Sequence, residues 1–356
     1  MNQVALNSDN GIATANLVSV DDPIYPLYKV AVVATVLREL GVEPRALLVD
    51  TDIQPNQLDS ADVRISRRQL LQAYRNAVRL SPVLDLGLRV GRRLHVGEYG
   101  MYGYALMSSR TLGDALAFAI KYHQLATPTV RMSLFQADDE DIAIFRMDDI
   151  THDETVLEFN LSVQFALVLS LFEDMLGENF AFTEVRCSLA EPGHASSYRS
   201  VLGCEVSFDC NYDELRFDEW WLSKTLRRAN PITANMLEKT CDELLSNMLS
   251  KDDIVSQVAT AVTEILEDGP GIDEVARKLN MSARTLRRRL TEKDASYQQI
   301  LQDVRCQIAI AYLRDTHMTV EDIAGRVGFT DSANFRHAFK RWTGQPPSHF
   351  RAKPAN

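Results

Sequence analysis

The sequence predicts an α+β N-terminal domain followed by an all-α C-terminal domain with two helix-turn-helix units joined by a linker helix. Three observations support this fold class. Strand-type segments alternate with helical ones between residues 129 and 217, all periodic segments after Pro231 have helical spacing, and the C-terminal third contains an internal repeat. The 356 residues are enough for two domains with separate hydrophobic cores.

The N-terminal region begins with segments that have helical periodicity and recognisable caps. Leu27–Leu40 is apolar at helical spacing and stops before a glycine, which suits the end of a helix. Ser66 is the expected N-cap of the next long helix. Thr111 is the expected N-cap of a third helix, with Asp114 at the third helical position. These patterns predict a mainly helical stretch up to about residue 122.

The pattern changes after Thr129, where two segments of strand composition flank a short acidic stretch. Val130–Gln136 and Asp141–Met147 therefore predict a β-hairpin. Glu154–Met175 is apolar nearly all round, which is typical of a helix buried inside a domain. Further short strands are expected at Thr183–Leu189, Glu205–Phe208 and Glu214–Phe217.

Charge is distributed unevenly along the chain. The formal net charge is -11, which by itself argues against a nucleic-acid partner. From Ala276 to the C-terminus, however, there are 15 Lys and Arg against 7 Asp and Glu, whereas the preceding 275 residues hold 23 basic and 42 acidic side chains. This asymmetry indicates that the C-terminal domain contacts the phosphates of a nucleic acid and that the rest of the chain does not.

The basic region contains one pattern twice, in Ile272–Leu290 and again in Val320–Phe339, which begins 48 residues later. In each copy, apolar residues at i, i+3 and i+7 and a small alanine define a first helix. Asn280 or Gly328 ends that helix, because both residue types tolerate a left-handed backbone. The second copy has one extra residue in its turn. The expected N-caps of the second helices are Ser282 and Thr330.

The second helix of each copy has an apolar stripe opposite a basic face. Leu286 and Leu290 form the stripe in the first copy, and Phe335 and Phe339 form it in the second. The basic side chains are Arg284, Arg287, Arg288 and Arg289 in the first copy and Arg336, Lys340 and Arg341 in the second. This is the pattern of a helix-turn-helix unit, whose recognition helix enters the major groove of DNA.

A helix is expected between the two units at Tyr297–Leu313. At 1.5 Å per residue it would be about 25 Å long. A rod of this size could hold two recognition helices about one DNA turn apart, roughly 34 Å, so that one polypeptide reads two successive segments of the major groove.

The region Asp253–Arg351 resembles the DNA-binding domain of the AraC/XylS family of transcription regulators. The residues that carry this resemblance are Ile323-Ala324, Val327-Gly328-Phe329, Asp331-Ser332, Phe335, Phe339-Lys340, Gly344, Pro347 and Phe350-Arg351. The chain departs from the family at His337, where an arginine is usual, so the base contact at that step falls to His337 or to its neighbour Arg336.

The resemblance implies which side chains face DNA. Base-edge contacts are expected from Arg284, Thr285, Arg287, Arg288, Ala333, Asn334, Arg336 and His337. Phosphate contacts are expected from Ser282, Thr330, Ser332, Lys340 and Arg341. These two groups are called the base-contact set and the phosphate-contact set below. Arg289 flanks the core residue Leu290 and is expected to be exposed only.

The segment from Tyr25 to Arg228 resembles the effector domain of one branch of this family, which is named after arabinose binding. Tyr99–Leu125 and the strand-and-helix pattern that follows carry this resemblance. It implies a small-molecule effector. The strand signals are too few for a β-barrel, so a sugar ligand does not follow from the name of the branch.

Few residues are candidates for contact with an effector. His123 is either a core histidine or a ligand contact, and Arg131 either holds a carboxylate or lies at the surface. Polar side chains inside an apolar helix need partners, or face a ligand cavity. Large aromatic side chains either pack in the core or line a pocket. The six candidates are Tyr104, His123, Arg131, Asn160, Gln164 and Trp220.

Four segments are therefore expected. They are a flexible arm (1–24), a mixed α/β effector-binding or regulatory domain (25–228), a connector or dimerisation helix (229–251) and the DNA-binding domain (252–356). The expected function is an effector-controlled regulator, for which activation of transcription is favoured over repression. The alternative is a regulator that needs no ligand and whose N-terminal domain mediates dimerisation or protein interaction. Double-stranded DNA, a small-molecule effector, RNA polymerase and a second copy are the expected partners.

Other classes of function lack their sequence signals. The five cysteines form no CxxC pair, which favours free thiols, with Cys204 and Cys210 as the alternative redox pair. Catalytic motifs and metal-ligand spacings are missing, so an enzyme, a cofactor or a metal site is not expected. Long uncharged apolar segments and a signal peptide are also missing, which favours the cytoplasm over a membrane.

Overall fold

The computed structural model describes residues 20–126, 128–137, 141–248, 254–293, 295–316, 318–343 and 345–351. The chain divides into two compact units, the first over Val20–Leu245 and the second from Ser246 onward. Most of the expected N-terminal arm lies outside the described residues.

The first unit combines helices with a small sheet, as the sequence predicts. Its helices are α1 (Tyr28–Glu39), α2 (Pro44–Leu47), α3 (Arg67–Leu80), α4 (Leu86–Arg93), α5 (Gly100–Ser108), α6 (Leu112–Tyr122), α7 (Leu157–Leu176), α8 (Ala195–Leu202) and α9 (Pro231–Met248). Its strands are β1 (Tyr25–Pro26), β2 (Arg64–Ile65), β3 (Val130–Gln136), β4 (Ile142–Asp149), β5 (Glu184–Arg186), β6 (Glu205–Ser207) and β7 (Glu214–Asp218).

Five strands form one sheet in the order β3-β4-β7-β5-β6. The β3–β4 pair is the expected hairpin, with Val130 opposite Asp149 and Gln136 opposite Ala143. Neighbouring strands are antiparallel except β5 and β6, which are parallel. β1 and β2 form a separate two-stranded ladder. The structure therefore agrees with the expectation of a mixed α and β domain.

Helix α7 is the central helix of the first unit. It begins three residues later than expected, at Leu157, and ends at Leu176 before Gly177, whose φ is +70°. It is the one helix in the described part of the chain that is long and apolar enough to cross a membrane. Most of its side chains are buried within the unit, however, so its composition is explained by its position in the core.

Helix α4 crosses α7 at close range because glycines replace side chains at the crossing. A Cβ at Gly87 would lie 2.6 Å from the Ser162 Cβ, and one at Gly91 would touch the Val163 carbonyl oxygen and lie 2.6 Å from the Ala166 Cβ. Real Cβ atoms do not approach neighbours so closely. The two glycines therefore set the distance between these helices.

Gly91→Ala is expected to destabilise the first unit by about 1–3 kcal/mol, because the added methyl group forces the two backbones apart. Urea titration of the full chain measures the change. Gly97→Ala is the matched control, since a Cβ there meets nothing within 4 Å. Equal stability of the two variants would show that the crossing adjusts without cost.

The expected N-caps of the first unit are confirmed. Ser66 Oγ accepts a hydrogen bond from the backbone N–H of Gln69 at 3.2 Å, and Thr111 Oγ1 accepts one from Asp114 at 3.1 Å. In both cases a side-chain oxygen of the third helical residue accepts a hydrogen bond from the backbone N–H of the cap residue, which completes a capping box.

The second unit is helical throughout its described residues. Its helices are α10 (Ile254–Glu264), α11 (Ile272–Lys278), α12 (Ala283–Thr291), α13 (Tyr297–Asp315), α14 (Val320–Arg326) and α15 (Ser332–Thr343). α11 with α12 and α14 with α15 are the two expected helix-turn-helix units. The linker helix α13 has 19 residues, two more than expected, and is about 28 Å long. Leu286, Leu290, Phe335 and Phe339 are at most 1% exposed and share one core.

Candidate DNA-binding surface and ligand cavity

The turn of the first helix-turn-helix unit is built as the sequence predicts. Asn280 follows the end of α11 with a φ of +54°, the left-handed conformation that the turn requires. Ser282 Oγ then accepts a hydrogen bond from the Thr285 backbone N–H at 3.1 Å and caps α12. The chain is thereby fixed at both ends of the turn, which sets the angle between the two helices.

The face of α12 opposite its core stripe is basic and accessible. Arg284, Arg287 and Arg288 are exposed, and Thr285 is half-buried. Arg284, Thr285 and Arg288 line one depression at the surface. Arg288 Nε lies 3.7 Å from Glu292 Oε1, but both side chains are exposed, so this ion pair contributes little to stability and leaves the guanidinium available.

The turn of the second helix-turn-helix unit, between α14 and α15, depends on Gly328, whose φ is +75°. A Cβ at this position would touch the Leu266 carbonyl oxygen and lie 2.9 Å from the Gly269 Cα, so the position needs glycine for space as well as for conformation. Arg305 Nη2 of the linker helix donates a hydrogen bond to the Gly328 carbonyl oxygen at 3.0 Å. The linker helix therefore holds this turn directly.

The N-cap of α15 differs from the expectation. The helix begins at Ser332, and Asp331 Oδ1 accepts a hydrogen bond from the Asn334 backbone N–H at 2.7 Å. The prediction that Thr330 is the cap is wrong, because the one extra residue in this turn moves the cap by one position. Asp331 lies four residues before the core residue Phe335, as Ser282 lies four residues before Leu286.

Asp331→Ala is expected to lower the melting temperature of the second unit, whereas Thr330→Ala is expected to leave it nearly unchanged. Hydrogen bonds from Asn334 hold the pKa of Asp331 below its usual range. The stabilisation is therefore present above the unfolded pKa of about 4 and is lost as the pH falls through the lower folded value. Melting curves of both variants between acidic and neutral pH measure this, and an equal effect of the two variants would contradict the assignment.

The accessible face of α15 carries the remaining members of the two sets. Ala333, Asn334, Arg336, His337, Lys340 and Arg341 are exposed, as is Thr330 before the helix, and Ser332 is half-buried. The Asn334 side-chain amide donates to the Asp331 carboxylate. An adenine contact by Asn334 therefore requires this side chain to leave its bond to the cap.

The first unit contains a largely apolar cavity of about 70 Å³. Residues of α1, α5, α6, α7, β3 and β4 contribute to its wall. Lys29, His123 and Gln164 are the charged or strongly polar side chains of the wall, and they are 4%, 8% and 5% exposed. No acidic residue is among the described residues that line the cavity.

The polar groups of the cavity are strongly influenced by burial. Burial lowers the pKa of Lys29 to about 7. His123 Nδ1 lies 3.0 Å from the Ile120 carbonyl oxygen, and its Nε2 has no hydrogen-bond partner among the described residues. Gln164 Nε2 donates to Thr129 Oγ1 at 3.0 Å. The wall therefore holds a buried amine and an unpartnered imidazole nitrogen in an otherwise apolar space.

The structure brings only two of the six effector candidates to this cavity, His123 and Gln164. Tyr104 and Trp220 do not line it, because they are 50% and 51% exposed at the surface, where Trp220 stacks on Trp221 with ring centroids 4.1 Å apart. Aromatic composition alone did not distinguish a surface position from a pocket wall.

The other two candidates are engaged in hydrogen bonds outside the cavity wall. Arg131 Nη2 lies 3.1 Å from Asp148 Oδ2 on the neighbouring strand, so its guanidinium holds a carboxylate of the protein itself. Asn160 is fully buried, and its Nδ2 donates to Asp149 Oδ1 at 2.8 Å. Arg131 therefore links the two strands of the hairpin, and Asn160 joins α7 to the end of β4. Neither side chain lines the cavity described above.

Lys29 is a cavity residue that the sequence reasoning missed. It is the one charged residue in the first half of the apolar segment Leu27–Leu40. A lysine within an apolar stripe is rarely buried unless it is paired or functional. That signal was available in the sequence.

Helix α9 presents an apolar face that the first unit does not cover. Ile232, Met236 and Leu244 are 84%, 59% and 39% exposed. Its other face packs on the unit, where Cys241 is buried and Tyr122 Oη donates to Asp242 Oδ1 at 2.6 Å. The five cysteines are free thiols, as expected, so Cys204 and Cys210 do not form a disulfide.

Comparison with known proteins agrees with both parts of the chain. Residues 41–226 match the arabinose-binding N-terminal domain of AraC transcription regulators, and residues 275–353 match a helix-turn-helix domain. The chain is 33% identical over 316 residues to the ornithine utilization regulator of Pseudomonas aeruginosa, which covers 89% of this chain and 93% of that protein.

Two further proteins are similar at lower identity. The transcriptional regulator VqsM of P. aeruginosa is 26% identical over 273 residues, with 74% of this chain and 83% of that protein covered. The crystal structure of the transcriptional regulator CdpR of P. aeruginosa matches 87% of this chain and 96% of that chain at 24% identity, with a TM-score of 0.44.

The chain belongs to the AraC family of transcription regulators, with an arabinose-binding-type N-terminal domain. It is a DNA-binding regulator and not an enzyme. The family name of the N-terminal domain does not identify a ligand, so the chemistry of the cavity must be argued from its own residues.

Proposed function

We propose that this chain is a sequence-specific transcription activator whose affinity for DNA is controlled by a small molecule bound in the cavity of the first unit. The observation that carries the proposal is the composition of the cavity wall. A buried polar atom without a hydrogen-bond partner costs free energy, and a ligand that bonds to it would offset that cost. His123 Nε2 is such an atom among the described residues of this wall, and it is therefore better explained by a ligand than by packing.

DNA recognition is assigned to α12 and α15. In this proposal the base-contact set reads base edges in two successive segments of the major groove, and the phosphate-contact set fixes the register. The exposure of the basic faces and the firm anchoring of both turns support the assignment. The first helix-turn-helix unit is expected to carry the stronger base contacts, because three of its base-contact residues are arginines.

Effector control requires a ligand that binds differently to the DNA-competent and DNA-incompetent states. The domain limits expected from the sequence assign effector binding to residues 25–228 and coupling or dimerisation to 229–251, which includes most of α9. DNA binding is assigned to 252–356. The protein would act in the cytoplasm as a homodimer and contact RNA polymerase when it activates.

A second candidate function keeps DNA binding but needs no ligand. The apolar face of α9 favours it, because Ile232 and Met236 are more than half exposed and a second copy could cover them. In that case the first unit is a dimerisation or protein-interaction module, and the cavity has no regulatory role.

Two measurements on the full chain separate these functions. A thermal-shift screen against diverse small molecules, followed by DNA-affinity titration with each hit, is expected to yield a ligand that changes DNA affinity. Sedimentation is expected to show a dimer, and Ile232→Glu is expected to weaken it. Silence in the screen with an intact dimer would favour the second function, and a monomer would contradict the dimer in both.

Activation is tested by transcription in vitro from a promoter that carries a selected binding site. The full chain is expected to raise the yield of transcript with purified RNA polymerase. A decrease on addition of the protein would make it a repressor.

A further inference from the structure

We infer that the cavity of the first unit binds a small carboxylate with an apolar body, held by the Lys29 amine and the His123 ring. This inference rests on the proposed effector function and names the chemical class of the ligand. It follows from three properties of the wall: its charge, the free nitrogen of His123 and its apolar remainder.

The charge of the wall favours an anion. The lining contains one amine and one imidazole, and none of its described residues is acidic. Burial is the main cause of the lowered pKa of His123, and the positive charges of Lys29 and Arg131 lower it further. The described lining therefore offers an anion two nitrogen groups and no carboxylate that would repel it.

The Lys29 amine is poised to respond to such an anion. Burial brings its pKa to about 7, so its charge is marginal near neutral pH. An anion that enters the cavity stabilises the ammonium form, and the ion pair then has charge-assisted hydrogen bonds.

The His123 ring adds a second contact point. Nδ1 lies 3.0 Å from the Ile120 carbonyl oxygen, so the neutral ring carries its proton on Nδ1 and leaves Nε2 as an acceptor. The Nε2 atom is buried and has no partner among the described residues. A carboxylate beside the ring favours its protonated form, in which Nε2 donates to the ligand.

The rest of the wall sets the size and polarity of the ligand. Its volume of about 70 Å³ would hold roughly five water molecules, which corresponds to a small organic acid and not to a long chain. Leu116, Val168, Phe172 and Met175 are among the side chains that enclose it, and they favour an aliphatic body over a sugar.

Calorimetric titration of the full chain at neutral pH tests the inference. The probes are the sodium salts of butanoate, pentanoate and hexanoate, with the primary amides of the same acids and putrescine as uncharged and cationic comparisons. The carboxylates are expected to bind about tenfold or more tightly than the amides, because a hydrogen bond to a charged group is stronger than a neutral one. Putrescine is expected not to bind.

Lys29→Met is the first test variant, with Arg38→Met on the exposed side of the same helix as control. Lys29→Met is expected to weaken binding of the carboxylates about tenfold or more, because it removes a charge-assisted hydrogen bond to the ligand. His123→Leu is the second variant and is expected to weaken the carboxylates while it keeps the amine. Unchanged carboxylate affinity in both well-folded variants would overturn the inference.

The outcomes separate this inference from the proposed function. Amides or putrescine that bind as tightly as the carboxylates and alter DNA affinity would overturn the carboxylate and leave effector control intact. Carboxylates that bind through Lys29 without any change in DNA affinity would support the inference and contradict effector control. Failure of all probes to bind, while an unrelated compound class from the thermal-shift screen binds, would overturn the inference alone.

Discussion

Replacement of Arg284, Arg287 and Arg288 together by alanine is expected to lower the affinity for a selected DNA site by at least about 10²-fold. A good arginine-to-base contact contributes about 1–3 kcal/mol of discrimination, so the loss of three amounts to about 3 kcal/mol or more. All three side chains are exposed and outside the core of the second unit, so the fold should be retained. Fluorescence titration with the selected DNA and with a scrambled sequence measures both affinities.

The matched control is Arg289→Ala on the same helix. Arg289 is also exposed, but it flanks the buried Leu290 and is not a member of the base-contact set. Its loss is expected to change affinity little and equally for both DNA sequences. If the triple variant lost the same factor on selected and scrambled DNA, the three arginines would be phosphate contacts, and the salt dependence of binding would fall by about one unit of slope per contact.

Phe335→Ala is expected to destabilise the second unit by about 3–5 kcal/mol. Phe335 is 0% exposed, and its ring centroid lies 5.6 Å from that of Phe329 and 5.5 Å from that of Phe339. Truncation removes the centre of this aromatic cluster and leaves a cavity. The loss is a large fraction of the stability of an ordinary domain, about 5–15 kcal/mol, so DNA binding through α15 should fail on mild warming.

Trp342 reports this unfolding selectively. The chain has three tryptophans, and the other two, Trp220 and Trp221, lie in the first unit. In a Trp220→Phe, Trp221→Phe background, urea titration followed by fluorescence therefore records the second unit. Arg336→Ala, an exposed neighbour on the same helix, is expected to change stability by less than about 0.5 kcal/mol. A cost below about 1 kcal/mol for Phe335→Ala would contradict the packing described.

The helix-turn-helix units could be predicted because their signals are local and repeated. Asn280, Gly328 and Ser282 specify backbone conformation or a cap within a few residues, and two copies of the apolar stripe fix the period. The cap of α15 was not predicted correctly, because the local signal at this turn fits two neighbouring residues. One inserted residue made Asp331 the equivalent of Ser282, and Thr330 is an equally acceptable cap by residue type.

The ligand cavity was predictable only in part because it is assembled by tertiary contacts. His123 and Gln164 lie 41 residues apart and meet at the cavity through the packing of several elements. Tyr104 and Trp220 have suitable chemistry, but their exposure is decided by packing that sequence periodicity does not encode. Lys29 is unusual in the sequence because it is a charged residue in an apolar segment. A functional hypothesis for it required the cavity, which only the structure shows.

The most direct test of the account is a hydroxyl-radical footprint of the full chain on a DNA site selected by binding. Two recognition helices connected by α13 are expected to protect two segments about 10–10.5 base pairs apart on one face of the duplex. The triple arginine variant should lose one of the two segments preferentially. The central claim is that each helix-turn-helix unit reads its own part of the site. A single protected segment, weakened alike by the arginine substitutions and by Arg336→Ala, would contradict it.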